Sequence, residues 1–288
     1  MSGAAAVVPG QRRGGLLLAL PLGIFFAVFV VVPLLLLVAV SLYADAEMTH
    51  FGFEQYQRFF GDAFNRSVLL QTLWLGVKVT ALALVLGFPL AYAYTLAPPR
   101  WQSLLMLLIV LPLLTSAVVR TFAWVVILGR QGIINESLLA LGWIAEPLRL
   151  LYTPGAMVIA VAQIELPLMA LPVITALMNI DPNLRQASLA LGAGHWRTLF
   201  KVTLPLAVPG LLAGSLLVFA SSVSAFVTQT LVGGGQQMLM PFYMYQQAIQ
   251  ANNYPFAAAI AVTLLVAVMA VVMLINLVGR RAKGFVHA

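Results

Sequence analysis

Six stretches of this chain, residues 14–44, 67–97, 103–129, 153–179, 206–232 and 257–279, are mostly apolar. Each is long enough, at about 1.5 Å of rise per residue, to cross about 30 Å of hydrocarbon as a helix. In lipid the backbone must satisfy its own hydrogen bonds, so only helices and closed barrels span, and runs this long select helices. The chain has 288 residues, of which 62% are hydrophobic and 8% charged, and the apolar runs leave no room for a separate soluble domain. The expectation is an all-α integral membrane protein: a short segment over 1–14, one six-helix transmembrane domain over 15–279, and a tail over 280–288. The first run follows Arg12-Arg13, and Ala44-Asp45-Ala46 loosely resembles a cleavage site. A signal peptide's apolar core is only about 7–15 residues, so a retained first helix is expected. No charge occurs between Lys201 and Arg280, so the last two runs are divided only by Gly233-Gly234-Gly235-Gln236-Gln237 and Asn252-Asn253-Tyr254-Pro255.

An even number of spans puts both termini on one side, and Lys/Arg bias identifies it. Arg12, Arg13, Arg100, Arg185, Arg197, Lys201, Arg280, Arg281 and Lys283 fall on the terminal side; Arg58, Arg66, Arg130 and Arg149 fall opposite. Both termini are therefore expected in the cytoplasm. The net charge of +7 forms no dense basic run, which argues for a topology signal and against a nucleic-acid partner. Cysteine is absent, so disulfides and thiolate chemistry are excluded. There is no phosphate-cradling G-x-x-x-x-G-K-[ST] motif. His50, His195 and His287 lack metal-ligand spacing, so neither ATP hydrolysis nor metal catalysis is expected of this chain.

Between the fourth and fifth runs lies a polar, basic insert over 180–205. Asp181-Pro182 reads as an N-cap followed by proline at the first helical position, where the missing N–H costs nothing. A helix through Leu191 would end at Gly192 and Gly194 in left-handed geometry, and His195 to Lys201 would form a second short helix. Leu204-Pro205 and Pro209-Gly210 are expected to break the chain before the fifth span. Such a hairpin is either a docking element for a cytoplasmic protein or an interfacial helix, with Arg197 and Lys201 on lipid phosphates and Trp196 in the headgroups.

The spacing of this insert resembles the cytoplasmic signature of binding-protein-dependent ABC importer permeases: Glu-Ala-Ala, three residues, Gly, nine residues, Ile, one residue, Leu-Pro. Here it reads Gln186-Ala187-Ser188, Gly192, Val202 and Leu204-Pro205 at matching spacing. Further likeness to the polyamine-type permeases lies in Leu111-Pro112, Val119-Arg120-Thr121-Phe122-Ala123-Trp124, Gly132-Ile133-Ile134-Asn135, Leu166-Pro167 and Phe226-Val227-Thr228. The resemblance implies the type I ABC importer permease fold in a bacterial inner membrane. It also implies a coupling helix seated in a cytoplasmic ATPase, with Gln186, Ala187, Ser188, Gly192, His195, Trp196, Leu204 and Pro205 as its contact set. The implied partners are a second permease, two ATPase subunits that hold ATP and Mg, and an extracytoplasmic binding protein. The implied solute is a polyamine or related organic compound; Fe(III), sulfate, opine and phosphonate importers share the coupling signature. Two positions depart from the pattern. Gln186 replaces the leading glutamate, and an amide accepts the same hydrogen bond without charge assistance. Ala225 stands where many polyamine-type relatives carry an acid, which weakens the case for a polycationic solute.

Lys78, Arg120 and Glu165 fall inside expected spans, where a central charge costs about 2.5–3.5 kcal/mol on insertion scales. The long stem of Lys78 can reach polar groups in the bundle. Arg120 and Glu165 either form a buried pair or line a solute cavity, where Glu165 faces an ammonium group or Arg120 a carboxylate. Pro112, Pro167 and Pro172 interrupt neighbouring helices, as is common at transporter sites. Trp124, Tyr92, Tyr94 and Phe226 could wall a cation or be ordinary membrane aromatics. Ser221, Ser222, Ser224, Thr228 and Gln229 form a stripe suited to helix–helix bonding or to lining a pore. The rival class is an ion-coupled secondary transporter, with the three intramembrane charges as relays.

Overall fold

The structure, a computed structural model, describes residues 20–284. The expected 1–14 segment and residues 285–288 of the tail lie outside that range. Twelve helices follow in order: α1 Leu20–Ser41, α2 Glu54–Gly61, α3 Ala63–Leu96, α4 Pro99–Leu114, α5 Ala117–Leu128 and α6 Ile133–Ala140. Then come α7 Pro154–Met178, α8 Pro182–Ala190, α9 His195–Val223, α10 Phe226–Gly233, α11 Met240–Tyr245 and α12 Tyr254–Gly284. Six helical stretches among the described residues are long and apolar enough to cross a bilayer. The fold is the all-α membrane architecture that the apolar runs require.

Local chemistry sets the helix starts. Asp62 accepts from the Phe64 N–H at 2.9 Å to open α3, and Thr153 accepts from the Ala156 N–H at 3.2 Å to open α7. Asp181 caps α8 through the Asn183 N–H at 2.9 Å, with Pro182 in the first turn. Each oxygen satisfies a donor that the first turn would otherwise leave bare.

Helix α7 is the centre of the molecule. It packs on α3 and α9, and Val79, Ala83, Met169, Val173, Ala207 and Val218 are fully buried between them. Without a hydrophobic drive between helices in lipid, close approach supplies the packing energy, and small residues make it possible. A Cβ at Gly76 would lie 2.6 Å from Val223, and one at Gly87 2.7 Å from Met169. One at Gly210 would lie 2.6 Å from the Pro172 carbonyl oxygen. A second buried cluster, Phe59, Val68, Met240, Phe256 and Ile260, ties α2, α3, α11 and α12 together. Within it the Tyr243 hydroxyl donates to Asn65 Oδ1 at 2.8 Å. Tyr243→Phe leaves that buried acceptor unpaired, so thermal unfolding in detergent should register a loss of about 1–3 kcal/mol.

The structure corrects several expectations. The third run, 103–129, is cut at Thr115 and Ser116, where ψ turns to 149° and 133°. Helices α4 and α5 therefore share that stretch; Pro112 removes a backbone donor near the break. The fifth run, 206–232, is cut at Ser224 and Ala225 rather than before it begins. Leu204-Pro205 and Pro209-Gly210 do not break the chain: α9 runs from His195 to Val223 as one rod with a π turn at Leu199–Thr203. Pro205 lies in the first turn after that π turn, and the wider turn accommodates the missing N–H. Gly192 does adopt left-handed geometry (φ +82°), whereas Gly194 is extended (φ −67°, ψ 163°) and caps α9. At the far end, helix α12 continues past residue 279 to Gly284.

Candidate functional site

The 180–205 insert is a hairpin of α8 and the first turns of α9. Its turn is a Schellman motif: the Ala193 N–H bonds Ser188 O at 3.1 Å and the Gly192 N–H bonds Leu189 O at 3.0 Å. The Ser188 and Thr198 hydroxyls, 3.0 Å apart, tie the two helices. The hairpin's tip is apolar and bare: Leu191 is 88% exposed, Trp196 74% and Phe200 59%. Trp196 and Phe200 stack with ring centroids 6.2 Å apart. A cavity of about 470 Å³ opens on the hairpin's other side, lined by Tyr92, Thr95, Gln102, Asp181, Arg185 and Gln186.

The anticipated contact set thus divides. Ala187, Gly192, His195 and Trp196 are exposed around the turn, while Gln186 lines the cavity beside Arg185. Leu204 and Pro205 are half-buried where the rod enters the bundle. Leu191 and Phe200 were not singled out from the sequence; their signal was large apolar residues inside an otherwise polar insert.

A second polar site lies within the bundle where α5, α7, α9 and α10 meet. Glu165 is 6% exposed, and the Ser221 hydroxyl and Arg120 guanidinium lie near it. No ion pair joins Arg120 and Glu165 among the described residues. Arg120 Nη1 donates instead to Ile164 O at 3.2 Å, and its buried Nε has no partner. Pro167 has no N–H for the Gln163 carbonyl one turn back, which removes that acceptor's helical donor. Trp124 Nε1 donates to Gln163 Oε1 at 3.0 Å, and the Thr121 and Thr228 hydroxyls, 2.9 Å apart, join α5 to α10. Gln229 donates to Ser222 O at 2.8 Å across the break after α9, while its own buried Oε1 is unpaired.

The family described as binding-protein-dependent transport system inner membrane component matches residues 3–284. The chain belongs to this family. It is a permease subunit of an inner-membrane ABC importer, and its own chain is a transport component. It is 32% identical over 242 residues to the spermidine/putrescine permease PotB of Haemophilus influenzae, covering 83% of this chain and 84% of that one. The Escherichia coli K12 PotB is 31% identical over 255 residues, covering 87% and 92%. The molybdenum permease ModB of the same strain is 34% identical over 182 residues, covering 61% and 78%. A permease chain of a bacterial alginate importer superposes with a TM-score of 0.75 at 20% identity, covering 94% of this chain and 96% of the other, which is likeness of fold.

Within the permease, Arg120 lies near Glu165, Trp124 reaches Gln163 on the same helix as Glu165, and Thr228 meets Thr121 beside Arg120. Ser222 is fully buried with its hydroxyl on Phe219 O, and Phe226 points elsewhere, to Phe242 and Tyr245 at 6.4 and 5.5 Å between ring centroids. The aromatic wall does not assemble. Tyr94 is buried in the core, and Tyr92 lies 5.6 Å under Arg185 at the base of the insert. The expected single stripe from Ser221 to Gln229 is likewise interrupted, because the break at Ser224 and Ala225 resets the helical phase. Pro167 and Pro172, expected to interrupt their helix, lie inside the continuous α7. Gln163 and Thr121 were missed as site residues, although Gln163 lies two residues from Glu165 on α7 and Thr121 adjoins Arg120.

Proposed function

We propose that the permease carries a small organic cation, most simply a polyamine, across the inner membrane, and that the exposed tip of the insert receives the work of ATP hydrolysis from a partner ATPase. The observation that carries this reading is the rod: one continuous helix runs from the bare apolar tip at Trp196 to the break beside the polar cluster. A push on the tip therefore displaces the wall of the cluster without an intervening joint. The Lys/Arg asymmetry supports a cytoplasmic position for tip and termini, and a second permease would give each of two ATPase subunits its own tip. The name of the PotB relatives supports a polyamine, and that of the solved alginate complex with its periplasmic protein supports delivery by a binding protein.

In the cluster, Glu165 is the group for an ammonium, helped by the Gln163 carbonyl, which Pro167 deprives of its helical donor, and by the indole of Trp124. Pathway walls would come from Ser222 and Thr228. Reconstituted with its ATPase, second permease and binding protein, the importer should accumulate spermidine or putrescine only with ATP. Glu165→Gln should raise the uptake KM about tenfold, the equivalent of about 1.4 kcal/mol for one charge-assisted contact. Unchanged uptake kinetics in a well-folded variant would remove Glu165 from the pathway. The half-buried Arg120, with its unpaired Nε, favours one second reading, an oxyanion solute; uptake of molybdate or sulfate in place of polyamine would select it.

A further inference from the structure

Lys78 occupies a position that nothing among the described residues of the permease explains. Helix α3 turns Leu75, Gly76, Val79 and Ala83 inward onto α7 and α9, and Lys78 faces out. It lies about 22 Å along the helix from Ala63 and about 27 Å from Leu96, close to mid-membrane. Among the described residues, the expected reach to polar groups in the bundle is not made. The surrounding stripe is apolar and bare: Trp74 is 60% exposed, Val77 40% and Val85 62%. Gln71, two turns outward, is the next polar residue along it. Helix α1 packs on α12 and does not cover this face.

Three surroundings can be weighed for an exposed lysine at this depth. Lipid is the costliest, at about 2.5–3.5 kcal/mol or more. A water-filled path would be lined by polar groups, whereas Trp74, Val77, Ala81 and Val85 flank the ammonium. A protein helix with apolar contacts above and below and one acid at the level of Lys78 satisfies both features. We infer that the α3 stripe from Gln71 to Val85 is the seat of a transmembrane helix of the importer's second permease subunit, which presents a carboxylate to Lys78. A second copy of this chain, docked through the same stripe about a two-fold axis, would bring two Lys78 ammonium groups together in low dielectric. The charge therefore selects an unlike, acid-bearing partner. This rests on the second permease of the proposed function.

The chain has no cysteine, so a single Val85→Cys or Val77→Cys substitution places one spin label on the stripe. In the assembled importer in lipid nanodiscs, the label should be immobilised and shielded from both molecular oxygen and a water-soluble nickel complex. Accessibility to oxygen would mean a lipid-facing stripe, and accessibility to nickel a water path; either overturns the inference while leaving ATP-driven uptake, and hence the proposed function, standing. Lys78→Glu should reduce recovery of the two permeases as a complex at least tenfold. Changing the second permease's membrane-embedded carboxylates singly to lysine should restore recovery at one position. Full recovery with Lys78→Glu, or rescue at no position, overturns the pairing.

Discussion

Gly192→Leu should lower ATP-driven uptake by about 100-fold or more, while the variant still inserts and assembles with its second permease. Gly192 sits at φ +82°, where a leucine side chain clashes with its own backbone at a cost of roughly 1–2 kcal/mol. None of the described residues lies within 4 Å of a Cβ built there, so the substitution disturbs no packing among them. Its effects are confined to the tip. A strained turn opens the Ser188–Thr198 tie, shifts Leu191 away from the Trp196–Phe200 pair, and places a new side chain in the docking surface. A 100-fold loss corresponds to about 2.7 kcal/mol of docking free energy, a reasonable share for the centre of a small apolar contact. Gly192→Asn separates the two causes, because asparagine tolerates left-handed geometry but adds bulk. Near-normal uptake with asparagine and loss with leucine would assign the effect to the turn. A Gly192→Leu complex that couples ATP to uptake normally would remove the tip from the mechanism.

The helices, their count and the start of the insert were legible because each rests on a local signal: apolar length, Asp181 before Pro182, and Gly192 after the polar run. The breaks were not, since a proline reads identically whether it ends a helix, as Pro112 nearly does, or is absorbed by a π turn, as Pro205 is. Pro205 and Pro209 were expected to part the insert from the fifth span, and the continuity of α9 reverses the mechanical reading of that region. The polar cluster was half legible. Arg120 and Glu165 stood out as charges in apolar runs, but their surroundings, the Ile164 carbonyl for one and the nearby Ser221 for the other, depend on how four helices meet. Lys78 looked like the same kind of residue and proved to face the other way, because the phase of α3 is fixed by Gly76 and Gly87 against α9 and α7.

The contact of α7 with α9 should be the most fragile in the molecule, and Gly210 its most fragile point. Gly210 and Gly214, spaced as in the small-residue motif of close-packed membrane helices, meet α7 directly. A Cβ at Gly210 would stand 2.4 Å from Ala176 Cβ and 2.6 Å from Pro172 O, and backbone cannot yield without moving a helix. At Gly214 the nearest atom is Met169 Sδ at 2.8 Å, the flexible part of a side chain, with Met169 O behind it at 3.0 Å. Gly210→Ala should therefore cost about 1–3 kcal/mol, Gly214→Ala less, and Gly210→Leu should prevent native packing altogether. Thermal unfolding and size-exclusion recovery of the purified permease measure the order. The same contact holds the rod against the bundle, so a Gly210→Ala protein that still folds should let the ATPase hydrolyse ATP with diminished uptake. Equal stability of the Gly210→Ala and Gly214→Ala variants would mean that the helices separate freely here, and a rod free to slide along α7 could not carry a push from the tip to the polar cluster.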